Sequence, residues 1–420
     1  MMRLQRLDIE NFRGIREMRI DLHPRLNVFA GKNGAGKTTI LNALGRTIQI
    51  AGMNHTTGNE RKDLESRTVI TPHYIRFGAE QGRIHLQFLF RGKLVRTTTS
   101  SKPEEMDSDL ITHFPEAGIR IPYHAFLEDR STLTGTYMPD ERTQDLISGL
   151  DLLMGRAISH ITTFAWAFEW ISDREDLENS RLRKFIDSGK VFGKDPFEKD
   201  KALQLIKNVI ADITGFAGLF NDREKHSFTL RKHFEREEKF LLFSQLSSGE
   251  QHLVSLVAMM AVVLAVNFPE AENPLSGEAV FMVDAIELHL HPSWQREIIP
   301  KFLKAFPNCQ FILTTHSPQV LGNVRPGSVF ILTEVDDEVV CEKPDESYGM
   351  TMDRLLELVM MDESRSAGSV RKDLETLFDH ISREQFDKAR QIVERLKEDI
   401  PTDPDLIRAE MIFHRKGMGL

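Results

Sequence analysis

The run Gly31-Lys32-Asn33-Gly34-Ala35-Gly36-Lys37-Thr38 constrains this chain more than any other feature. It follows an apolar stretch, Leu26 to Ala30, and leads into a helical stretch, Thr38 to Ile50. It matches G-x-x-x-x-G-K-[ST] in the strand–loop–helix setting that gives the pattern its meaning. The glycines let the backbone curl until its N–H groups point inward, and the helix N-terminus adds the positive end of its dipole. Such a cradle takes phosphate oxygens. Lys37 is positioned to reach the β- and γ-phosphates of ATP, and the Thr38 hydroxyl is a hard oxygen ligand for Mg²⁺. The nucleotide-contacting set read here is Gly31, Lys32, Asn33, Gly34, Ala35, Gly36, Lys37, Thr38 and Thr39.

Three further segments extend this chemistry. Val280 to Asp284 is an apolar run ending in a carboxylate. Buried parallel strands read this way, and ligands gather at their carboxyl ends, so Asp284 is read as the second Mg²⁺-site residue beside Thr38. Phe311 to His316 repeats the pattern with an imidazole at its end. Neutral imidazole can donate one hydrogen bond and accept another, which suits His316 to sense the γ-phosphate. Leu246-Ser247-Ser248-Gly249-Glu250-Gln251 opens a long apolar helix. Ser247 and Glu250 fit a capping box. The same serine hydroxyl, N–H groups and helix dipole also form an anion site, so Ser247, Ser248, Gly249 and Glu250 join the nucleotide set.

The rest of the chain frames these segments. Strand-like alternation marks Leu4 to Ile9, Met18 to Leu22, Arg83 to Arg91, Leu94 to Thr98 and Ile119 to Leu127. Asp145 to Ile186 reads as helical, with Phe164, Trp166, Phe168 and Trp170 as packing aromatics, then a loop from Gly189 to Asp195 and a helix from Phe197 to Thr214. Strands are expected at Ser227–Leu230, Lys239–Phe243, Ser328–Val335 and Glu338–Lys343, and a charged helical tail after Tyr348. With 54 basic against 63 acidic residues, a chain-wide attraction to nucleic acid or an anionic membrane is not expected. Arg13, Arg16 and Arg19 remain open to two readings, a local nucleic-acid surface or a solvated strand edge. The two cysteines, Cys309 and Cys341, fit no zinc spacing or disulfide framework. Leu253 to Val266 is short for a membrane span, which needs about 20 residues, and a cytoplasmic location without membrane contact is expected.

The order of the four motifs, with Ile9-Glu10-Asn11-Phe12-Arg13-Gly14-Ile15 at the start, resembles the ABC-type heads of SMC and RecF-like ATPases over roughly the first 330 residues. Ile286-Glu287-Leu288-His289-Leu290-His291-Pro292 and Thr314 to Leu321 are similar to AAA ATPases related to the OLD proteins. That branch includes the PtuA-type ATPases of Septu and retron-associated anti-phage systems. The resemblance implies an α/β fold: an ABC-type P-loop ATPase head with an antiparallel β lobe, a helical middle region and a helical C-terminal tail. It implies a head over 1–345 with a helical insertion near 145–215, and a tail over 346–420 that serves as a partner-docking element or a packed cap. It further implies a dimer or higher oligomer that sandwiches ATP head to tail between the loop around Lys37 and the partner's Ser247–Gly249. A separate HNH nuclease of the PtuB kind would be the effector, since no acidic strand cluster of the Toprim type follows residue 345, and a retron reverse transcriptase is a further partner it admits. A RecF-like repair ATPase is the alternative.

One position departs from that pattern. The residue after the strand aspartate is normally Glu in these ATPases and polarises the attacking water; here it is Ala285. A methyl group can neither orient water nor accept its proton, so the chain is expected to bind ATP and hydrolyse it poorly. Two explanations stay open: a natural ATP-binding switch, and a substitution introduced to trap the ATP state. The intact surrounding motifs argue against random decay, and of the two readings the second is preferred.

Overall fold

The computed structural model describes residues 2–52, 70, 72–90, 92–102, 107–108, 124–127, 167–168, 170–180, 199–222, 227–233, 238–351, 354–356, 368–401 and 403–415. Much of the helix expected over 145–186, with Phe164 and Trp166, and the loop expected at 189–195 lie outside these residues. So does the strand expected from Ile119, apart from its end at His124–Leu127. The chain divides into two compact units, Met1–Met360 and Met361–Leu420.

Among the described residues, three sheets build the first unit. A six-stranded sheet runs in the order β14 (Glu338–Glu342), β13 (Val329–Val335), β3 (Leu26–Gly31), β12 (Gln310–Thr315), β11 (Val280–Val283) and β7 (His124–Leu127). All neighbours pair in parallel except the β13–β14 hairpin. Strands β3, β11 and β12 are buried at every position, which explains their unbroken apolar sequence. A five-stranded antiparallel sheet has the order β2 (Ile15–Asp21), β1 (Met2–Phe12), β4 (Arg83–Phe90), β5 (Lys93–Ser100) and β6 (Asp107–Ser108). Its β4 alternates half-buried and buried residues, as a strand with one face on a core should. The third sheet is β10 (Glu238–Leu242), β9 (Ser227–His233) and β8 (Phe216–Asp222).

Sequence periodicity does not indicate β8. Its pairing with β9 breaks at a bulge between Ala217 and Phe220, where Gly218 adopts φ 62°, so no two-residue alternation survives. The helix Pro292–Ala305, with proline at its first position, was also not anticipated.

Two cores flank the six-stranded sheet. One contains the loop helix Lys37–Gly52 through Ile40, Leu41, Leu44 and Ile48, packed with the five-stranded sheet. The other surrounds the helix Ser248–Asn267, which is apolar on all sides and buried from Leu253 to Ala265. By length and composition that helix could cross a membrane, but here most of it lies inside the protein. The helix Lys201–Thr214 packs in the same core, capped by Asp200 at one end and by Gly215 in the left-handed region at the other. Phe168 packs against Phe228 and Phe243 at centroid distances of 4.9 and 5.1 Å, and the Arg174 guanidinium covers Trp170. Buried Glu175 ties residues 170–180 to two other elements by pairing with Lys207 and accepting from Asn221 N–H at 2.7 Å. Among its described residues the second unit contains three helices, Gly368–Ser382, Phe386–Asp399 and Pro404–Arg415, around its own core of Leu374, Leu377, Val393, Leu396, Leu406 and Phe413.

Fully buried Gln310 joins the two large sheets. Its Oε1 accepts from Leu4 N–H at 2.8 Å, and its Nε2 donates to the Leu4 carbonyl at 2.9 Å and the His23 carbonyl at 3.0 Å. Gln310→Leu keeps the volume but strands these backbone groups, each at a cost of about 1–3 kcal/mol. A clear fall in Tm is expected by calorimetry; an unchanged Tm would deny Gln310 this joining role.

Candidate nucleotide site

Parallel register brings the chemistry-bearing segments to one sheet end. Ala30 pairs with Thr315 and Gly31 with Leu332, so the loop begins opposite the end of β12, while Val283 pairs with Leu313 and places Asp284 beside it. Gly31 has φ 151°, and a Cβ there would overlap the Leu332 carbonyl oxygen. Only glycine lets the loop leave the sheet so close to β13. Gly34 and Gly36 take φ of 85° and 92°. Lys32, Asn33 and Gly34 are exposed on the loop, whereas Ala35, Lys37 and Thr39 are buried and Gly36 and Thr38 half-buried.

The Lys37 ammonium is buried and donates to the carbonyls of Gly31 at 2.9 Å and Lys32 at 2.7 Å. Burial brings its pKa down to about 8, opposed by the carboxylates of Asp284 and Glu287. Thr38 Oγ1 donates to Asp284 Oδ2 at 2.8 Å. The other Asp284 oxygen accepts from the Thr314 hydroxyl, which accepts from Ala285 N–H at 2.7 Å. Thr38 and Asp284 thus juxtapose one hydroxyl and one carboxylate. Such a small set of hard oxygens fits Mg²⁺, which takes its other ligands from phosphate and water. Among the described residues no group of three or more His, Cys, Asp or Glu is placed to hold a metal, so the donor set is not of the zinc type.

Ala285 adopts φ 49° where the chain turns away from β11. Leu288 N–H closes that turn on the Ala285 carbonyl at 2.9 Å, and Glu287 Oε1 then accepts from His316 N–H at 2.6 Å. Burial, reinforced by Lys37, holds the His316 imidazole below its ordinary pKa. The ring is therefore neutral near pH 7, as a group that both donates and accepts must be.

The helix start at Ser247 is described by other contacts. Ser247 N–H donates to Glu250 Oε2 at 2.8 Å and Glu250 N–H donates back to Ser247 Oγ at 3.4 Å, forming the capping box, and the Ser247 hydroxyl also donates to Glu250 Oε2 at 2.9 Å. Glu250 Oε1 also pairs with Lys232 of β9 at 2.6 Å. Burial pushes the Glu250 carboxyl up, but Lys232 and Ser247 outweigh it and the pKa lies below the ordinary value. Ser247 and Ser248 are exposed, while Gly249 is buried. A Cβ at Gly249 would overlap the His289 carbonyl oxygen, so this glycine also permits close backbone packing.

Sequence reasoning assigned no role to Thr314 or Gln295. Thr314 orients Asp284, and Gln295 accepts from the Ser317 hydroxyl at 2.6 Å while donating to the Leu290 carbonyl at 2.7 Å. The available signal was the threonine pair ending β12, since a hydroxyl in a buried strand requires a partner. The arginines near the first strand are engaged locally. Arg16 pairs with Glu338, Arg19 with Asp8, and Arg13 lies over the Tyr74 ring at 4.8 Å.

With this geometry in place, a family profile described as "AAA domain, putative AbiEii toxin, Type IV TA system" matches residues 26–322. This chain belongs to that AAA ATPase family. Similar curated proteins include the Retron Ec83 probable ATPase of Escherichia coli, 24% identical and aligned over 79% of this chain and 71% of its own length. The Septu protein PtuA of Bacillus thuringiensis is 24% identical over 87% of this chain and 86% of its own. Among solved structures, the SMC head domain from Thermotoga maritima aligns with 82% of this AAA ATPase and 99% of its own chain, at a TM-score of 0.43 and 14% identity.

The depressed imidazole makes a pH prediction. The unfolded chain takes up His316's proton as pH falls through the ordinary value of about 6.5, before the folded protein does. The stability contribution is therefore complete above about 6.5 and is lost down to the folded pKa. His23, also lowered by burial, contributes with the same sign. His316→Gln should flatten part of the Tm decline below pH 6.5 in a melting series; an identical decline would show that His316 does not carry it.

Proposed function

We propose that this chain is the ATP-binding subunit of an anti-phage defence complex, working as a self-assembling ATPase that controls a separate nuclease. The observation carrying the nucleotide part is the convergence of Lys37, Thr38, Asp284 and His316 at one sheet end. Similarity to retron and Septu ATPases along most of the chain supports the defence role. In this reading Gly31 to Thr39 cradle the phosphates, Lys37 meets the β- and γ-phosphates, and His316 meets the γ-phosphate. Thr38 and Asp284 hold Mg²⁺, which when bound neutralises charge on phosphate oxygens.

The exposed Ser247 and Ser248 at a helix N-terminus favour a site completed between copies. In it, Ser247–Glu250 of one subunit face the nucleotide on the loop of the next. The tail over residues 346–420 serves as the docking unit for an effector of the PtuB-like HNH type, with a retron reverse transcriptase as a further component. The complex is cytoplasmic.

ATP should promote association of this chain, measured by sedimentation with and without Mg·ATP. Ser248→Arg should abolish the ATP-dependent part while a labelled nucleotide still binds, and Lys37→Ala should abolish both. Association by the Ser248→Arg chain equal to that of its parent would end the shared-site reading.

The second prediction concerns Ala285. General-base loss costs about 10²–10⁴-fold in rate, while ground-state binding changes little. The chain should therefore hold Mg·ATP for long periods, and Ala285→Glu should raise phosphate release at saturating ATP by about that factor. Equal release from both chains would mean that Ala285 does not limit turnover.

A further inference from the structure

Glu287 is a carboxylate inside the nucleotide site that none of the roles above uses. The turn closed by Leu288 N–H on the Ala285 carbonyl brings it back to the end of β12. There Oε1 is fixed by His316 N–H at 2.6 Å. Its other oxygen, Oε2, is buried and has no hydrogen-bond partner. A buried carboxylate oxygen left unpaired is costly, and such groups in native proteins call for an explanation. The charge of Glu287 acts on both Lys37 and His316, the two groups read as γ-phosphate contacts.

One oxygen anchored and the other free is the arrangement a proton acceptor needs. The anchor sets the geometry in advance, and a water admitted with the nucleotide would meet the unpaired lone pairs of Oε2. The neighbouring position offers no competitor, because Ala285 supplies only a methyl group. His289 is exposed, and its carbonyl packs against Gly249.

We propose that Glu287 is the general base for the slow ATP hydrolysis this chain performs. The inference rests on the ATPase reading above. In the step, a water O–H bond breaks and its proton passes to Glu287 Oε2. The water oxygen forms a bond to the γ-phosphorus as the bond from that phosphorus to the β,γ-bridging oxygen breaks. The electron pair of the broken bond leaves on ADP, and Glu287 later returns the proton to solvent.

The test compares four chains: the protein as it stands, Glu287→Gln, Ala285→Glu, and the double substitution. Glutamine keeps the volume and an amide oxygen for His316 N–H, and removes the negative charge together with the capacity to accept a proton. Single-turnover conversion of bound ATP to ADP is followed in each, with ATP affinity measured separately by titration. Glu287→Gln should slow conversion by about 10²-fold in the chain with Ala285, with ATP binding retained in the titration. In the Ala285→Glu background the same substitution should change the rate by less than about threefold, because the restored carboxylate takes the proton. Equal slowing in both backgrounds would assign Glu287 a merely structural part through His316 and overturn the proposal. So would an unaltered rate, or a starting rate no higher than that of free ATP. Loss of ATP binding in all four chains would instead overturn the ATPase reading and Glu287's role with it.

Discussion

The arrangement at the sheet end depends on the Asp284 carboxylate. One of its oxygens receives the Thr38 hydroxyl and the other the Thr314 hydroxyl, so one side chain joins the loop helix, β11 and β12. Thr314 is itself held by Ala285 N–H, which draws the turn after β11 into the network. A carboxylate in this low-dielectric setting needs both oxygens satisfied, and here the satisfying groups also fix the geometry of the phosphate loop. Hydrogen bonds to charged groups are the stronger kind, so their loss would loosen three elements together.

Register extends this local constraint to the whole site. The parallel pairing of β3, β12 and β11 places three chain segments, drawn from nearly 300 residues of sequence, at one edge. Burial at that edge shapes the chemistry as well. It lowers Lys37 and keeps His316 neutral, and the carboxylates of Asp284 and Glu287 oppose both effects.

The helix Ser248–Asn267 belongs to the other core. Lys232 of the three-stranded sheet holds Glu250, which in turn holds Ser247. Gly249 backs onto His289, in the segment between β11 and the helix Pro292–Ala305. The helix start is therefore coupled to the same turn that carries Glu287.

The sequence alone determined what contiguous residues can specify. The phosphate loop, the capping box at Ser247 and the apolar runs of β3, β11 and β12 are local patterns with local causes: positive φ at Gly34 and Gly36, an N-cap hydroxyl, and burial on both sheet faces. The bulged β8 escaped because its irregular pairing erases the alternation on which strand reading relies. Tertiary structure decided the rest. Gln310 bridges to Leu4, and Thr314 and Glu287 acquire their roles only when the turn after β11 folds beside the end of β12. Hydrogen bonds between residues separated by 29, 30 or 306 positions leave no spacing rule in the chain, since their geometry arises from strand register and not from local backbone preference.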